Sequence, residues 1–160
     1  MKDSQSPKVT GISDLTGKVV RVRHANEADM VFIEKTMKKY GFDTENLDYS
    51  EFVVAAENSE IVGFGRLKKI GSIYDVGCIV VIEGKRGRGI GQLIAKHLVD
   101  FETVDRVYVT AERADYFRNM GFAVMKDRPK EYLDALDVVC KTGEKDKILM
   151  SRKKNAATKR

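Results

Sequence analysis

The sequence is poor in the residues that staple, kink or ligate. Its 160 residues include two cysteines, two prolines and two histidines. Cys78 and Cys140 lie far apart, with no paired-cysteine or cysteine–histidine spacing around them, which argues against a metal site. A disulfide between them is not expected in a reducing compartment. No apolar run approaches the ~20 residues needed to span a bilayer. The N-terminal stretch is polar and mixed in charge, so it lacks the apolar core of a signal peptide. The cytoplasm is therefore the expected location. At this length one domain can bury a core without disulfide or metal staples.

What is present in quantity is charge. Lysine and arginine number 29 against 24 aspartates and glutamates, a formal net of +5. Much of the excess sits in Arg86–Arg88 and in the tail 152–160. Basic segments attract anionic partners such as nucleic acid or a nucleotide cofactor. They also serve simply to solubilise a surface, and a short Lys/Arg-rich terminus reads as a solvated, disordered tail.

Residues 1–17, with Pro7, Gly11 and Gly17 as breakers, read as a loose lead-in to one domain over 18–151. Val20 and Val22 share a face of a strand over 18–23. Asn26 is a good N-cap, with Asp29 three residues on. Met30, Ile33, Met37 and Tyr40 then recur at helical spacing, and Gly41 closes the helix. Strands over 52–56 and 61–67, joined by Glu57-Asn58-Ser59-Glu60, make an antiparallel hairpin. A long strand covers 72–82. Ile90, Leu93, Ile94, Leu98 and Phe101 form the apolar stripe of a second helix. A strand over 106–110, a short helix over 113–120 closed by Gly121, and a strand over 122–125 follow. Pro129 suits the first turn of a helix to about 136, and the last strand is 147–151. This order predicts a single-domain α/β (α+β) fold, a mixed sheet with helices packed on its faces.

The informative stretch runs from Ile79 to Gln92: a buried strand, a glycine- and arginine-rich turn, then a helix. Glycines permit left-handed backbone and close approach of a ligand. A helix start presents unpaired N–H groups and a positive dipole end. Together they cradle phosphate oxygens, and Arg86 and Arg88 can add charge-assisted hydrogen bonds. Two common phosphate loops do not fit. A P-loop needs Lys and Ser/Thr after its last glycine, whereas Gly89 is followed by Ile90 and Gly91. G-x-G-x-x-G would require glycine at Gln92 or Ile94.

Arg86-x-x-Gly89-x-Gly91, after the strand Ile79-Val80-Val81 and with the Met120-Gly121-Phe122 turn downstream, resembles the coenzyme A motif of the GNAT superfamily of N-acetyltransferases. The succession of elements from Val19 to Met150 resembles that fold, whose sheet is mixed and mostly antiparallel. The resemblance implies acetyl-CoA as cofactor. It implies that the backbone of Arg86, Gly87, Arg88, Gly89, Ile90, Gly91 and Gln92 holds the pyrophosphate. It further implies that Ile79, Val80 and Val81 pair with the pantetheine arm, one N–H near Ile79 polarising the acetyl carbonyl. Dimers are common in that superfamily, which makes a homodimer the prior.

A protonated amine must lose a proton before it attacks. Asp75, four residues before Ile79 on the same strand and hence on the same face, is the candidate base. An exposed strand-end carboxylate is the rival reading. Glu83 and Glu112 are weaker candidates. The family's usual tyrosine acid falls at Phe117, and neighbouring Tyr116 points about 100° away on a helix, so it reads as packing.

Asp75–Val81 and Thr110–Phe122 resemble the acetyltransferase domain of N-acetylglutamate synthases, which also carry Phe there. Thr110 stands where many protein-acetylating members have Asn. Arg66 and Arg113 can then pair with a substrate carboxylate, or be solvated surface. His97 reads as a packed histidine and Cys78 as a packed strand residue. His24 has no evident role.

Three functions compete. One is acetylation of a small amine such as an amino acid, and another is acetylation of protein N-termini or lysines. The third is a non-catalytic acetyl-CoA sensor or a basic nucleic-acid module. The last lacks exposed aromatics beside basic residues of the kind that stack bases. No membrane partner is expected.

Overall fold

The computed structural model describes residues 10–13, 15–71, 73–101, 106–111, 114–127, 129–130, 132 and 148–153. Strand β1, Thr10–Ser13, lies inside the segment expected to be a loose lead-in. It pairs antiparallel with β2, Val19–His24, from Thr10 opposite Val22 to Ser13 opposite Val19. Four residues in polar surroundings carry no readable pattern; the neighbouring strand supplies the hydrogen bonds that define them.

Within β2, Val20 and Val22 are buried as the alternation requires. Asn26 and Asp29 form a reciprocal capping box: the Asn26 side chain accepts from the Asp29 N–H at 3.0 Å, and the Asp29 carboxylate accepts from the Asn26 N–H at 2.8 Å. A 3₁₀ turn, Glu27–Asp29, then runs into α1, Met30–Lys39. Arg23 donates to both Asp29 oxygens, at 2.6 and 3.0 Å, and so ties β2 to the helix start. Ile33 and Met37 are fully buried. Tyr40, expected on the same stripe, is instead 40% exposed. It is the C-cap, one residue past the helix. Gly41 adopts φ +74° and ends the helix. Its N–H bonds to the Lys38 carbonyl, and that of Phe42 reaches back to Met37.

The hairpin forms as expected from β3, Phe52–Glu57, and β4, Glu60–Ile70. Asn58 and Ser59 both have positive φ, the backbone of a two-residue turn whose twist matches its strands. The remaining elements are β5 (Ile73–Val81), α2 (Ile90–Phe101), β6 (Arg106–Ala111), α3 (Ala114–Arg118), β7 (Ala123–Val124) and β8 (Ile148–Lys153). The strands join in one sheet of order β1-β2-β3-β4-β5-β6-β8-β7. β5 and β6 run parallel, while β1–β2, β2–β3, β3–β4, β6–β8 and β8–β7 are antiparallel. This is a single-domain α+β fold with a mixed, mostly antiparallel sheet flanked by helices. Arg152 and Lys153, read as the start of a tail, instead extend β8 opposite Val107 and Arg106.

The chain divides into two compact units, residues 1–66 with 78–98 and residues 67–77 with 99–160. The first has a core of Ala25, Ile33, Met37, Phe52, Val54, Phe64 and Val80. Here α2 packs on β4 at two glycines. A methyl added at Gly65 would lie 2.6 Å from Ile94 Cγ2 and 2.9 Å from a Leu98 methyl. One added at Gly63 would lie 2.8 Å from the Val80 carbonyl oxygen. The second unit buries Ile73, Tyr108, Tyr132 and Leu149 together. Its helix α3 ends at Gly121, φ +88°, with the Phe122 N–H bonded to the Phe117 carbonyl and the two rings 5.6 Å apart. Of the helix expected over 129–136, the Tyr132 N–H bonds to the Pro129 carbonyl. Glu112, Arg113, Cys140 and the tail beyond Lys153 lie outside the described residues. No helix among the described residues is long and apolar enough to cross a membrane.

Candidate cofactor-binding site

Strand β5 delivers the chain to the glycine-rich turn. The Ile82 N–H bonds to the Val62 carbonyl at 3.0 Å, so the end of the strand is fixed to β4. Gly84, Gly87 and Gly89 then adopt φ of +89°, +77° and +81°. A residue with a Cβ at any of them would be held in the left-handed region at a cost of about 1–2 kcal/mol, which favours glycine there. The first hydrogen bond of α2 runs from the Leu93 N–H to the Gly89 carbonyl. The N–H groups of Ile90, Gly91 and Gln92 precede it and point off the helix start, where the dipole is positive. That arrangement accepts an anion.

The two arginines of the loop have different tasks. Arg88, expected to face phosphate, is buried and forks onto the Glu57 carboxylate at 3.1 and 3.2 Å. Lys85 reaches the same carboxylate at 3.1 Å. The loop is thus anchored to the end of β3 by two cations on one buried acid. Arg86 is exposed. Its Nε donates to the Val81 carbonyl at 2.9 Å, and Nη2 donates to the Tyr40 hydroxyl at 3.0 Å. Leu15 covers the far end of the turn: its N–H bonds to the Arg88 carbonyl, and its side chain lies against Gly89.

Hydrogen bonds from Arg88 and then Lys85 hold the Glu57 carboxyl below its ordinary value of 4.5. A carboxyl that titrates lower folded than unfolded adds stability above its unfolded pKa and loses it as pH falls through the folded one. Melting temperature should therefore drop in acid below about pH 4.5. Glu57→Gln should melt lower than the parent at pH 7, with the gap closing in acid. A constant gap in melts from pH 7 to 3 would show that Glu57 does not supply the acid sensitivity.

The other expected site residues fall as follows. Cys78 has φ +51° inside β5, a left-handed residue that interrupts strand alternation. Counting in twos from Asp75 to Ile79 therefore no longer establishes a shared face. The parallel ladder to β6 pairs Asp75 with Tyr108 and Val76 with Val109 just before it. Asp75 is half-buried, not an exposed strand end, and its Oδ1 is inaccessible to solvent. Arg66, read as a substrate or surface arginine, is 5% exposed. It donates to Glu51 at 2.8 Å and lies over the Phe52 ring. Phe117 packs edge-on against Tyr116 and Phe122. Thr110 shares a hydrogen bond with Tyr132, 22 residues away and not marked as its partner by any local pattern. The rings of His24 and His97 meet at 6.0 Å. Among the described residues no group of His, Cys, Asp and Glu could hold a metal ion.

A family model described as an acetyltransferase (GNAT) domain matches residues 48–124. Sequence comparison with curated proteins gives no match. Among solved structures, the chain is similar to N-acetylglutamate synthase from Neisseria gonorrhoeae complexed with coenzyme A and N-acetyl-glutamate. That pair superposes with TM-score 0.65 at 17% identity, over 84% of this chain and 35% of the synthase, so this chain spans about a third of that protein. It is also similar to Rv2747 from Mycobacterium tuberculosis in complex with CoA, with TM-score 0.68, 21% identity, and 84% and 99% of the two chains covered. Arabidopsis thaliana Naa50 in complex with the bisubstrate analogue CoA-Ac-MVNAL gives TM-score 0.57, 18% identity, and 84% and 99% coverage. Strand order, the β5–loop–α2 turn and these superpositions agree: the chain has the fold of the GNAT acetyltransferases.

Proposed function

We propose that this protein is an acetyl-CoA-dependent N-acetyltransferase whose acceptor is a small primary amine such as an amino acid. The observation that carries the cofactor assignment is the run of three left-handed glycines ending on the start of α2. It offers backbone N–H groups, the positive helix end and an exposed guanidinium to a pyrophosphate, so the residues present fit that group. Bound acetyl-CoA supplies an acyl group activated as a thioester.

The chain's own residues do the rest. The backbone from Arg86 to Gln92 binds and orients the phosphates. Arg88 contributes through its backbone, because its guanidinium holds Glu57. Ile79, Val80 and Val81 present backbone groups to the pantetheine arm. The left-handed φ of Cys78 turns the backbone just before Ile79, which supports an N–H there that is directed at a carbonyl oxygen. Asp75 takes the proton from the acceptor's ammonium, directly or through water. Phe117 has no proton to give, so either the thiolate would leave without a tyrosine acid or another group would supply the proton. Arg113 remains the candidate for a substrate carboxylate. Arg66 could serve only by sharing with Glu51, which weakens that assignment. The solved complex of the Neisseria synthase with N-acetyl-glutamate supports an amino-acid acceptor.

The test is calorimetric binding of acetyl-CoA, followed by thiol release across amino acids, polyamines and peptides. Binding with release on amino acids is the expected result. Release only on peptides would move the acceptor to protein N-termini, and no binding would overturn the assignment. Asp75→Asn should lower turnover about 10²–10⁴-fold while acetyl-CoA affinity is kept. An unchanged pH–rate profile would remove Asp75 as the base.

A further inference from the structure

Tyr40 belongs to the periodic stripe of α1 by spacing, yet its ring is outside the core. The reason is local. Gly41 turns the chain at φ +74°, and the bonds from Gly41 to Lys38 and from Phe42 to Met37 lock the helix end. Tyr40 is left at the rim of α1, 40% exposed. There its hydroxyl accepts a hydrogen bond from Arg86 Nη2 at 3.0 Å, and the guanidinium lies 5.9 Å from the ring centre. Lys39 places its ammonium 5.6 Å from the same ring. A surface tyrosine needs no partner. This one holds the exposed arginine of the phosphate loop against a residue 46 positions away in sequence.

We infer that Tyr40 is a positioning residue for the cofactor's phosphates, acting through Arg86. The inference rests on the acetyl-CoA reading. Two of the five guanidinium N–H donors are used by the Val81 carbonyl and the Tyr40 hydroxyl, which leaves the others for phosphate oxygen. A long side chain that is already ordered loses less entropy when its ligand arrives. Holding Arg86 in place before binding therefore raises affinity without a direct contact between Tyr40 and the ligand.

The experiment is a double-mutant cycle read by calorimetry with acetyl-CoA, with thermal melts of each variant to confirm folding. Tyr40→Phe should weaken binding about two- to tenfold, the value of one hydrogen bond, and Tyr40→Leu should weaken it further. Arg86→Ala should weaken it about ten- to a hundredfold. The double variant Tyr40→Phe/Arg86→Ala should bind no worse than Arg86→Ala alone, because Tyr40 acts only through the arginine. Additive losses, or parental affinity in both Tyr40 variants, would overturn the inference while the cofactor assignment stands. A parent that binds no acetyl-CoA would overturn both.

Discussion

Gly89→Val is expected to remove acetyl-CoA binding. Gly89 has φ +81°, and a residue with a Cβ costs roughly 1–2 kcal/mol in that region, a β-branched one more. The added carbon would lie 3.1 Å from Leu15 Cγ, so the Leu15 side chain must also give way. The strain at residue 89 turns the flanking peptide planes, which carry N–H groups of the proposed cradle. Losing two charge-assisted bonds, at about 1.5–3 kcal/mol each, weakens binding at least about a hundredfold. Gly71→Val is the control, because Gly71 also has positive φ, at +59°, with nothing within 4 Å. It should share the backbone strain, melt lower, and still bind. Equal binding by Gly89→Val and the parent would show that the loop is not the cradle.

Gly63→Ala should give the largest loss of stability for the smallest change in volume. Its new methyl would stand 2.8 Å from the Val80 carbonyl oxygen and 2.9 Å from Ile94 Cδ1. A side chain can rotate away, but a carbonyl in a paired strand cannot without taking β5 with it. Overpacking of this kind costs about 1–3 kcal/mol, or roughly 2–4 °C of melting temperature per kcal/mol at this chain length. Gly77→Ala is the matched control. The nearest atom to its added methyl is Asp75 Oδ2 at 3.9 Å, so its melting temperature should stay near the parent's. A Gly63→Ala melt equal to the parent's would mean that the Val80 carbonyl of β5 yields to the added methyl without cost.

Local patterns were legible where local physics decides. Asn26 with Asp29, the turn at Asn58-Ser59 and the glycine after α1 each satisfy backbone groups within a few residues. The residue types therefore announced them, and the structure has all three. The glycine spacing of the loop before α2 was readable for the same reason, since left-handed backbone is a property of single residues. β1 was not readable, because its stability comes from pairing with β2. The placement of β8 between β6 and β7 was equally hidden, being a choice among sheet edges that leaves no mark on the strand itself.

Side-chain assignments divided along the same line. Charge and position marked Arg86 and Arg88 alike. Glu57, in the hairpin 31 residues away, is what turned Arg88 inward, and Tyr40, 46 residues away, is what holds Arg86 at the surface. Arg66 carries no local mark of a partner, and Glu51, 15 residues away, takes its guanidinium. The left-handed Cys78 broke an alternation that the sequence offered no reason to doubt. By itself, then, the sequence determined the caps, the turns, the glycine loop and the class of fold, because backbone conformational preference and periodicity act within a few residues. The tertiary structure alone decided which charges are paired inside the fold and which stay at the surface, because partners distant in the chain meet only once the strands and helices have packed.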